Sequence, residues 1–200
     1  MSKKVTISVV VPLFNEAPNV APLVEAVRAA LPGGDWELLL VDDGSRDDTG
    51  KLADEYARSD ERVRVVHLAR NFGQTAAMKA GFDHARGDMV VSMDGDLQND
   101  PADIPMLLAK LNEGYDAVLG LRVNRQDHLL VRKLPSLAAN WLIRKVTGVK
   151  VRDMGCTLRA MRRDLAEGLP LYGEMHRFVP VLAQQYGGRL AQVPVRHHPR

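Results

Sequence analysis

Val90-Val91-Ser92-Met93-Asp94-Gly95-Asp96-Leu97-Gln98-Asn99-Asp100-Pro101 decides how the rest of the chain reads. A short apolar run of strand type breaks into two aspartates separated by one glycine, then into a polar turn ended by proline. Residues two apart on a strand point to one side, so the strand reading aims the Asp94 and Asp96 carboxylates at one point beyond the strand end. One or two protein carboxylates in such a place can hold a divalent cation whose other ligands are substrate phosphates. Taken alone, the same residues also describe a solvated acidic turn closing a core strand.

The sequence around this stretch alternates strand and helix patterns. Val5 to Val11 is a β-branched run ending at Pro12, followed by the loop Pro12-Leu13-Phe14-Asn15-Glu16. Val20, Leu23, Val24, Val27 and Leu31 then recur at helical spacing until Pro32-Gly33-Gly34. Trp36 to Val41 is a second strand, ending in Asp42-Asp43-Gly44-Ser45, with Asp47 or Asp48 as the cap of the next helix. Val63 to Leu68 runs into Arg70-Asn71-Phe72-Gly73-Gln74 and a helix from about Thr75 to Ala85. Pro101 to Leu111 reads as a helix and Ala117 to Leu119 as a fifth strand. The alternation implies a mostly parallel α/β sheet with helices on both faces, in which ligands gather at the carboxyl ends of the strands. Asn15-Glu16, Asp42-Asp43, Arg70-Asn71 and Asp94-x-Asp96 all follow a strand and so fall on that edge, which favours a site over an incidental turn.

Beyond residue 121 the period changes. Residues 123–131 read as a mobile surface loop, and Leu134 to Val146 as an amphipathic helix. Residues 153–161, from Asp153-Met154-Gly155-Cys156-Thr157 onward, read as a short strand or turn, Glu174 to Tyr186 reads as a helix interrupted early by Pro180, and Leu190 to Val195 is a last strand. Charge divides at the same point. Residues 1–121 hold 12 Lys/Arg against 20 Asp/Glu, a net of -8, and residues 122–200 hold 15 against 5, a net of +10. An acidic part suited to collecting metal precedes a basic part suited to an anion or an anionic membrane surface.

Composition excludes several classes. At 46% hydrophobic and 26% charged, the chain has the mix of a globular protein. No apolar run approaches the roughly eighteen residues a membrane span needs, and the start does not read as a signal peptide. One cysteine, Cys156, rules out an internal disulfide and a cysteine-rich zinc site and reads as a small buried residue. No Gly-x-Gly-x-x-Gly follows the first strand, against a dinucleotide-dependent dehydrogenase. Adjacent His197 and His198 point to opposite faces if extended, and read as surface residues.

Five motifs in order, Val10-Val11-Pro12-Leu13-Phe14-Asn15-Glu16, Val41-Asp42-Asp43-Gly44-Ser45, Arg70-Asn71-x-Gly73, Met93-Asp94-Gly95-Asp96-Leu97-Gln98 and Asp153-x-Gly155-Cys156, resemble the inverting family 2 glycosyltransferases. Within them the chain is most similar to the dolichyl-phosphate mannosyltransferase branch and its bacterial polyprenyl-phosphate glycosyltransferase relatives. The resemblance implies a GT-A fold, residues 1–121 being the nucleotide-sugar and metal-binding part and residues 122–200 a basic acceptor-side part of the same domain. It implies transfer of a hexose with inversion from a GDP- or UDP-sugar to a dolichyl or undecaprenyl phosphate, dependent on Mg2+ or Mn2+. Pro12, Phe14 and Glu16 would line the nucleotide pocket and Asp43 would bond the base; Asp94, Asp96 and Gln98 would surround the metal. Arg122, Arg132 and Ser136 would take the acceptor phosphate, with Asp96, Arg122 and Arg132 as the catalytic set. Asp153, His176 and Arg177 would stand on the acceptor side, and Arg196 would reach the donor diphosphate.

Such proteins often have alanine where Gly95 stands. They also continue past a His-His-Pro-Arg run with a Gly-x-Ser-Lys-Tyr-like motif and often membrane helices, so the expectation is an acceptor side cut short before them. The expected setting is cytoplasmic and peripheral, at the cytoplasmic face of the membrane, with no nucleic-acid partner. Two other readings stand beside it. One keeps the donor site but glycosylates a saccharide hydroxyl, which needs a carboxylate base. The other is a magnesium-binding regulatory module of doubly wound type, for which the chain is long and the acidic pair follows the second strand rather than the first.

Overall fold

A computed structural model describes residues 5–122 and 151–199. The expected loop at 123–131 and helix at Leu134 to Val146, with Arg132 and Ser136, lie outside the described residues.

Seven strands form one sheet: β1 (Ile7–Leu13), β2 (Trp36–Asp42), β3 (Val63–His67), β4 (Met89–Ser92), β5 (Ala117–Arg122), β6 (Arg159–Arg162) and β7 (Leu190–Val195). Their spatial order is β3-β2-β1-β4-β6-β5-β7. Pairs β1/β2, β1/β4, β2/β3 and β5/β7 are parallel, and β6 runs antiparallel between β4 and β5. Helices α1 (Ala17–Ala30), α2 (Thr49–Ser59), α3 (Gln74–His84), α4 (Ile104–Leu111), α5 (Arg163–Gly168) and α6 (Val179–Gln185) cover it.

The continuous apolar runs in the strands exist because both faces of the sheet are buried. Alternate residues of one strand serve different cores. Val9 and Val11 of β1, with Leu38 and Leu40 of β2, pack on the face of α1, α2 and α4; Val10, with Leu39 and Val41, packs on the face of α3, α5 and α6. All seven of these side chains are fully buried, so each contributes about 1.5–3 kcal/mol of transfer free energy.

Local signals fix the helix boundaries. Pro18 sits in the first turn of α1, where its missing N–H costs nothing. At α2 the cap geometry belongs to Asp48, but the carboxylate that satisfies the helix start is Asp47, which accepts from the Thr49 N–H at 3.1 Å and from the Ala17 N–H at 3.2 Å. Pro180, read from sequence as an interruption, instead starts α6: a 3₁₀ turn at Met175–Phe178 precedes it, and proline is tolerated in a first helical turn.

The strand order reverses between β1 and β4, with β2 and β3 on one side and β6, β5 and β7 on the other. Loops leaving β1 and β4 therefore diverge and leave a crevice at their carboxyl ends.

Candidate active site

A cavity of about 320 Å³ occupies that crevice, lined by Pro12, Leu13, Phe14, Glu16, Asp43, Asn71, Gly73, Gln74, Asp94, Gly95 and Asp96. The end of β1 and the loops after four adjacent parallel strands supply these residues, and Pro12, Phe14, Glu16, Asp43, Asp94 and Asp96 come together as the sequence suggested. A larger recess, about 630 Å³, lies at the opposite edge of the sheet, where Asp88, Asp116, Arg162 and Arg163 mix both signs of charge; none of the motifs reaches it.

The two aspartates converge by a different route from the one expected. Strand β4 ends at Ser92, so strand alternation does not aim them. They sit in the following turn, where Leu97 adopts φ +60°. Gly95 lets this turn lie against β1. A Cβ there would stand 2.3 Å from Leu13 Cδ2, so alanine at this position would require Leu13 to move.

Asp94 is held on both oxygens. Oδ1 accepts from Gln74 Nε2 at 2.6 Å and Oδ2 from Thr157 Oγ1 at 2.8 Å. Burial pushes its carboxyl above the ordinary range, the Thr157 hydrogen bond opposes this, and nearby Asp96 adds to the rise. Asp96 makes one bond, Oδ1 accepting from the Gln98 N–H at 3.1 Å. Gln98, expected as a third metal ligand, thus meets Asp96 through its backbone, its carbonyl accepts from the His198 N–H, and it is not among the cavity's lining residues. The described residues contain no group of three or more His, Cys, Asp or Glu side chains able to cage an ion. Two carboxylates on one cavity nevertheless fit a Mg2+ or Mn2+ that keeps phosphate and water oxygens as its remaining ligands.

Asp43 lines the cavity, but its oxygens hold the chain: Oδ1 accepts from the Phe72 N–H at 2.8 Å and Oδ2 from the Gly73 N–H at 2.9 Å. Gly73, at φ +92°, is a backbone few other residues adopt, and it turns the loop into α3. Next in sequence, Gln74 reaches Asp94, and the Thr75 hydroxyl lies 2.7 Å from Nδ1 of His176.

Of the residues expected on the acceptor side, Arg122 and Asp153 form a fork, Nε to Oδ2 at 2.7 Å and a terminal nitrogen to Oδ1 at 2.9 Å. Burial would raise the Asp153 carboxyl, yet the Arg122 guanidinium outweighs it and holds the group below the usual carboxylate range. His176 is buried, which lowers its basicity, whereas Arg177 is exposed and loosely paired with Glu174 at 3.4 Å. Arg159 is fully buried and bonds the carbonyls of His176 at 2.8 Å and Met154 at 3.0 Å, tying these segments together. Arg196, expected at the donor diphosphate, instead grips Asp103 at 2.8 Å and Asp100 at 3.0 Å beside the start of α4. Of the two histidines read as surface residues, His198 is exposed near Asp100, whereas His197 is half-buried and pairs with Asn99 through an isolated antiparallel bridge; Cys156 is buried as expected.

Residues 8–169 match the model of glycosyl transferase family 2. The chain belongs to that family. It is 49% identical over 200 residues to the dodecaprenyl-phosphate galacturonate synthase of Rhizobium johnstonii, covering 97% of this chain and 59% of that protein. It is 42% identical over 197 residues to the undecaprenyl-phosphate 4-deoxy-4-formamido-L-arabinose transferase of Klebsiella pneumoniae, covering 97% and 60%. The chain therefore spans about three-fifths of the length of these relatives. Among solved structures, glucosyl-3-phosphoglycerate synthase from Mycobacterium tuberculosis with UDP superposes with a TM-score of 0.76 at 26% identity, over 98% of this chain and 72% of that one. The same enzyme with Mn2+, UDP-glucose and phosphoglyceric acid gives 0.75 at 26% identity, over the same shares of the two chains. The GT-A expectation holds, with the antiparallel β6 as its one antiparallel strand among the described residues. No helix among the described residues is long and apolar enough to cross a membrane.

Proposed function

We propose that this chain carries the donor site of an inverting transferase that moves a sugar from a nucleoside-diphosphate donor, GDP- or UDP-linked, to a polyprenyl monophosphate at the cytoplasmic face of a membrane. The observation that carries the reading is the cavity at the strand-order reversal, where Asp94 and Asp96 face Phe14, Glu16 and Asp43. Phe14, 42% exposed, offers a face for a base, and the aspartates would hold Mg2+ or Mn2+ on the diphosphate. A divalent ion bound there supplies charge stabilisation to the departing diphosphate. The relatives' names specify dodecaprenyl and undecaprenyl phosphates, and the neighbouring synthase binds UDP with Mn2+.

In the reaction, an acceptor phosphate oxygen forms a bond to the anomeric carbon from the face opposite the donor diphosphate. The carbon–oxygen bond to the diphosphate breaks, and the electron pair leaves with the nucleoside diphosphate. A phosphate monoester with its second pKa near 6 is mostly dianionic at neutral pH, so no strong base is required. This favours the lipid phosphate over a saccharide hydroxyl, because Asp153, the carboxylate proposed for the acceptor side, is paired with Arg122 and poorly basic. Arg122 would share its guanidinium between Asp153 and the acceptor phosphate, for which Arg132 and Ser136 are the other proposed ligands. Exposed Phe72, Tyr172 and Phe178, with Arg70 and Arg177, suit a headgroup boundary.

The test is a panel of GDP- and UDP-sugars screened for thermal stabilisation with Mn2+, followed by incubation of the stabilising donor with undecaprenyl phosphate and, separately, an oligosaccharide. Stabilisation by one donor and a sugar-phosphate lipid product is the expected result. No stabilisation by any donor, or transfer to the oligosaccharide alone, would overturn the proposal.

A further inference from the structure

Three residues outside the motifs converge on Asp94. Gln74 opens α3, Thr157 precedes β6, and Asn99 follows the Asp94 turn and is 3% exposed. Asn99 Nδ2 lies 2.8 Å from Thr157 Oγ1, which in turn lies 2.8 Å from Asp94 Oδ2. An amide nitrogen can only donate, so the threonine oxygen accepts from Asn99, and its single hydrogen is left for the carboxylate. The direction of the relay is therefore fixed: Asn99 to Thr157 to Asp94. On the other oxygen, Gln74 Nε2 donates at 2.6 Å.

A carboxylate's terminal torsion is broad and roughly two-fold, so an unsupported Asp94 would sample many orientations. With one donor on each oxygen, its remaining lone pairs have a single direction. Partners of this kind, which touch a ligating group and not the ion, commonly change metal affinity by about 10–100-fold.

We infer that Gln74 and Thr157 are positioning residues that aim Asp94 at a divalent ion carrying the donor diphosphate, and that Asn99 orients Thr157 for this task. The inference rests on the donor-site reading above. Its test is Mn2+ affinity, read as loss of the free-ion electron paramagnetic resonance signal in the presence of UDP or GDP, for the wild type, Thr157→Val, Thr157→Ser and Gln74→Leu. Valine keeps the shape and removes the hydroxyl; serine keeps the hydroxyl. Thr157→Val and Gln74→Leu are expected to weaken Mn2+ binding by about 10-fold, and Thr157→Ser by less than about 2-fold. If Thr157→Val does not fold, Gln74→Leu decides, since Gln74 is only partly buried at a helix start. Wild-type affinity in both Thr157→Val and Gln74→Leu overturns the inference while leaving the donor site standing, as does a Thr157→Ser variant as weak as Thr157→Val. A wild-type protein that binds no Mn2+ with either nucleotide overturns both.

Discussion

Replacing Asp153 by Asn isolates the tie between the end of β5 and the segment before β6. Both partners of the Arg122–Asp153 pair have side chains 13% exposed. The carboxylate accepts four hydrogens: from Arg122 Nε at 2.7 Å, its terminal nitrogen at 2.9 Å, its backbone N–H at 3.4 Å and the Gly155 N–H at 3.1 Å. An asparagine turns an NH2 group toward two of these donors and removes the Asp153 charge from beside a part-buried guanidinium. Breaking a fully buried pair from one side costs about 3–5 kcal/mol; for this part-buried pair about 1–3 kcal/mol is expected, which for a chain of this size is a fall of roughly 5 °C in melting temperature. The sign with pH follows from the lowered Asp153 pKa. Its contribution is fully present above the unfolded carboxylate value, about 3.9, and is lost as pH falls through the lower folded value. Thermal melts of wild type and Asp153→Asn should therefore differ by a constant gap from about pH 7 to pH 5 that narrows below about pH 4. A gap under about 2 °C at pH 7, or one that widens on acidification, would refute this account of the pair.

Other perturbations follow from the same geometry. Asp96→Ala removes one hydrogen bond to the Gln98 N–H, so it should change the unliganded melting temperature by less than about 2 °C while abolishing Mn2+-dependent stabilisation by UDP or GDP, both read by calorimetry. Gly81→Ala places a methyl 2.2 Å from Val10 Cγ1 and 3.2 Å from Val41 Cγ2, an overpacking worth about 1–3 kcal/mol in urea unfolding; combined with Val10→Ala, the loss should be smaller than the sum of the two singles. His67 bonds Asp54 at 3.0 Å and Asp42 at 3.1 Å, and these carboxylates, Asp54 foremost, raise its pKa against the effect of burial. The raised value means its contribution is full below the unfolded pKa of about 6.5 and is lost as pH rises through the folded one, so His67→Gln should lower the melting temperature more at about pH 5.5 than at pH 9.

The first four strands, the helices between them and the edge holding the acidic residues were legible in the sequence because runs such as Val9-Val10-Val11 state their burial on both faces directly. β6 was not. Its residues Arg159-Ala160-Met161-Arg162 carry neither an apolar run nor a clean alternation, and the place of the strand between β4 and β5 is a long-range pairing that no local pattern reports. Side-chain partnerships were illegible for the same reason. Arg196 looked available for a diphosphate, whereas Asp100 and Asp103, more than ninety residues earlier, engage it. Gln74 stood inside a quoted loop yet offered no sign that it reaches Asp94, because that contact depends on the crevice between β1 and β4.

Phe72, Gly73, Gln74 and Thr75 together hold three different side chains: the first two Asp43, the third Asp94, the fourth His176. Such a turn cannot be exchanged alone. A one-residue insertion between Gly73 and Thr75 would rotate the start of α3 by about 100°, carrying Gln74 and Thr75 away from partners in two separate segments at once. Attempts to alter donor preference by loop grafting would therefore have to transplant residues 70–75 together with the surroundings of Asp43, Asp94 and His176. Natural variation in length should accumulate elsewhere along this edge, in connections that answer to one neighbour instead of three.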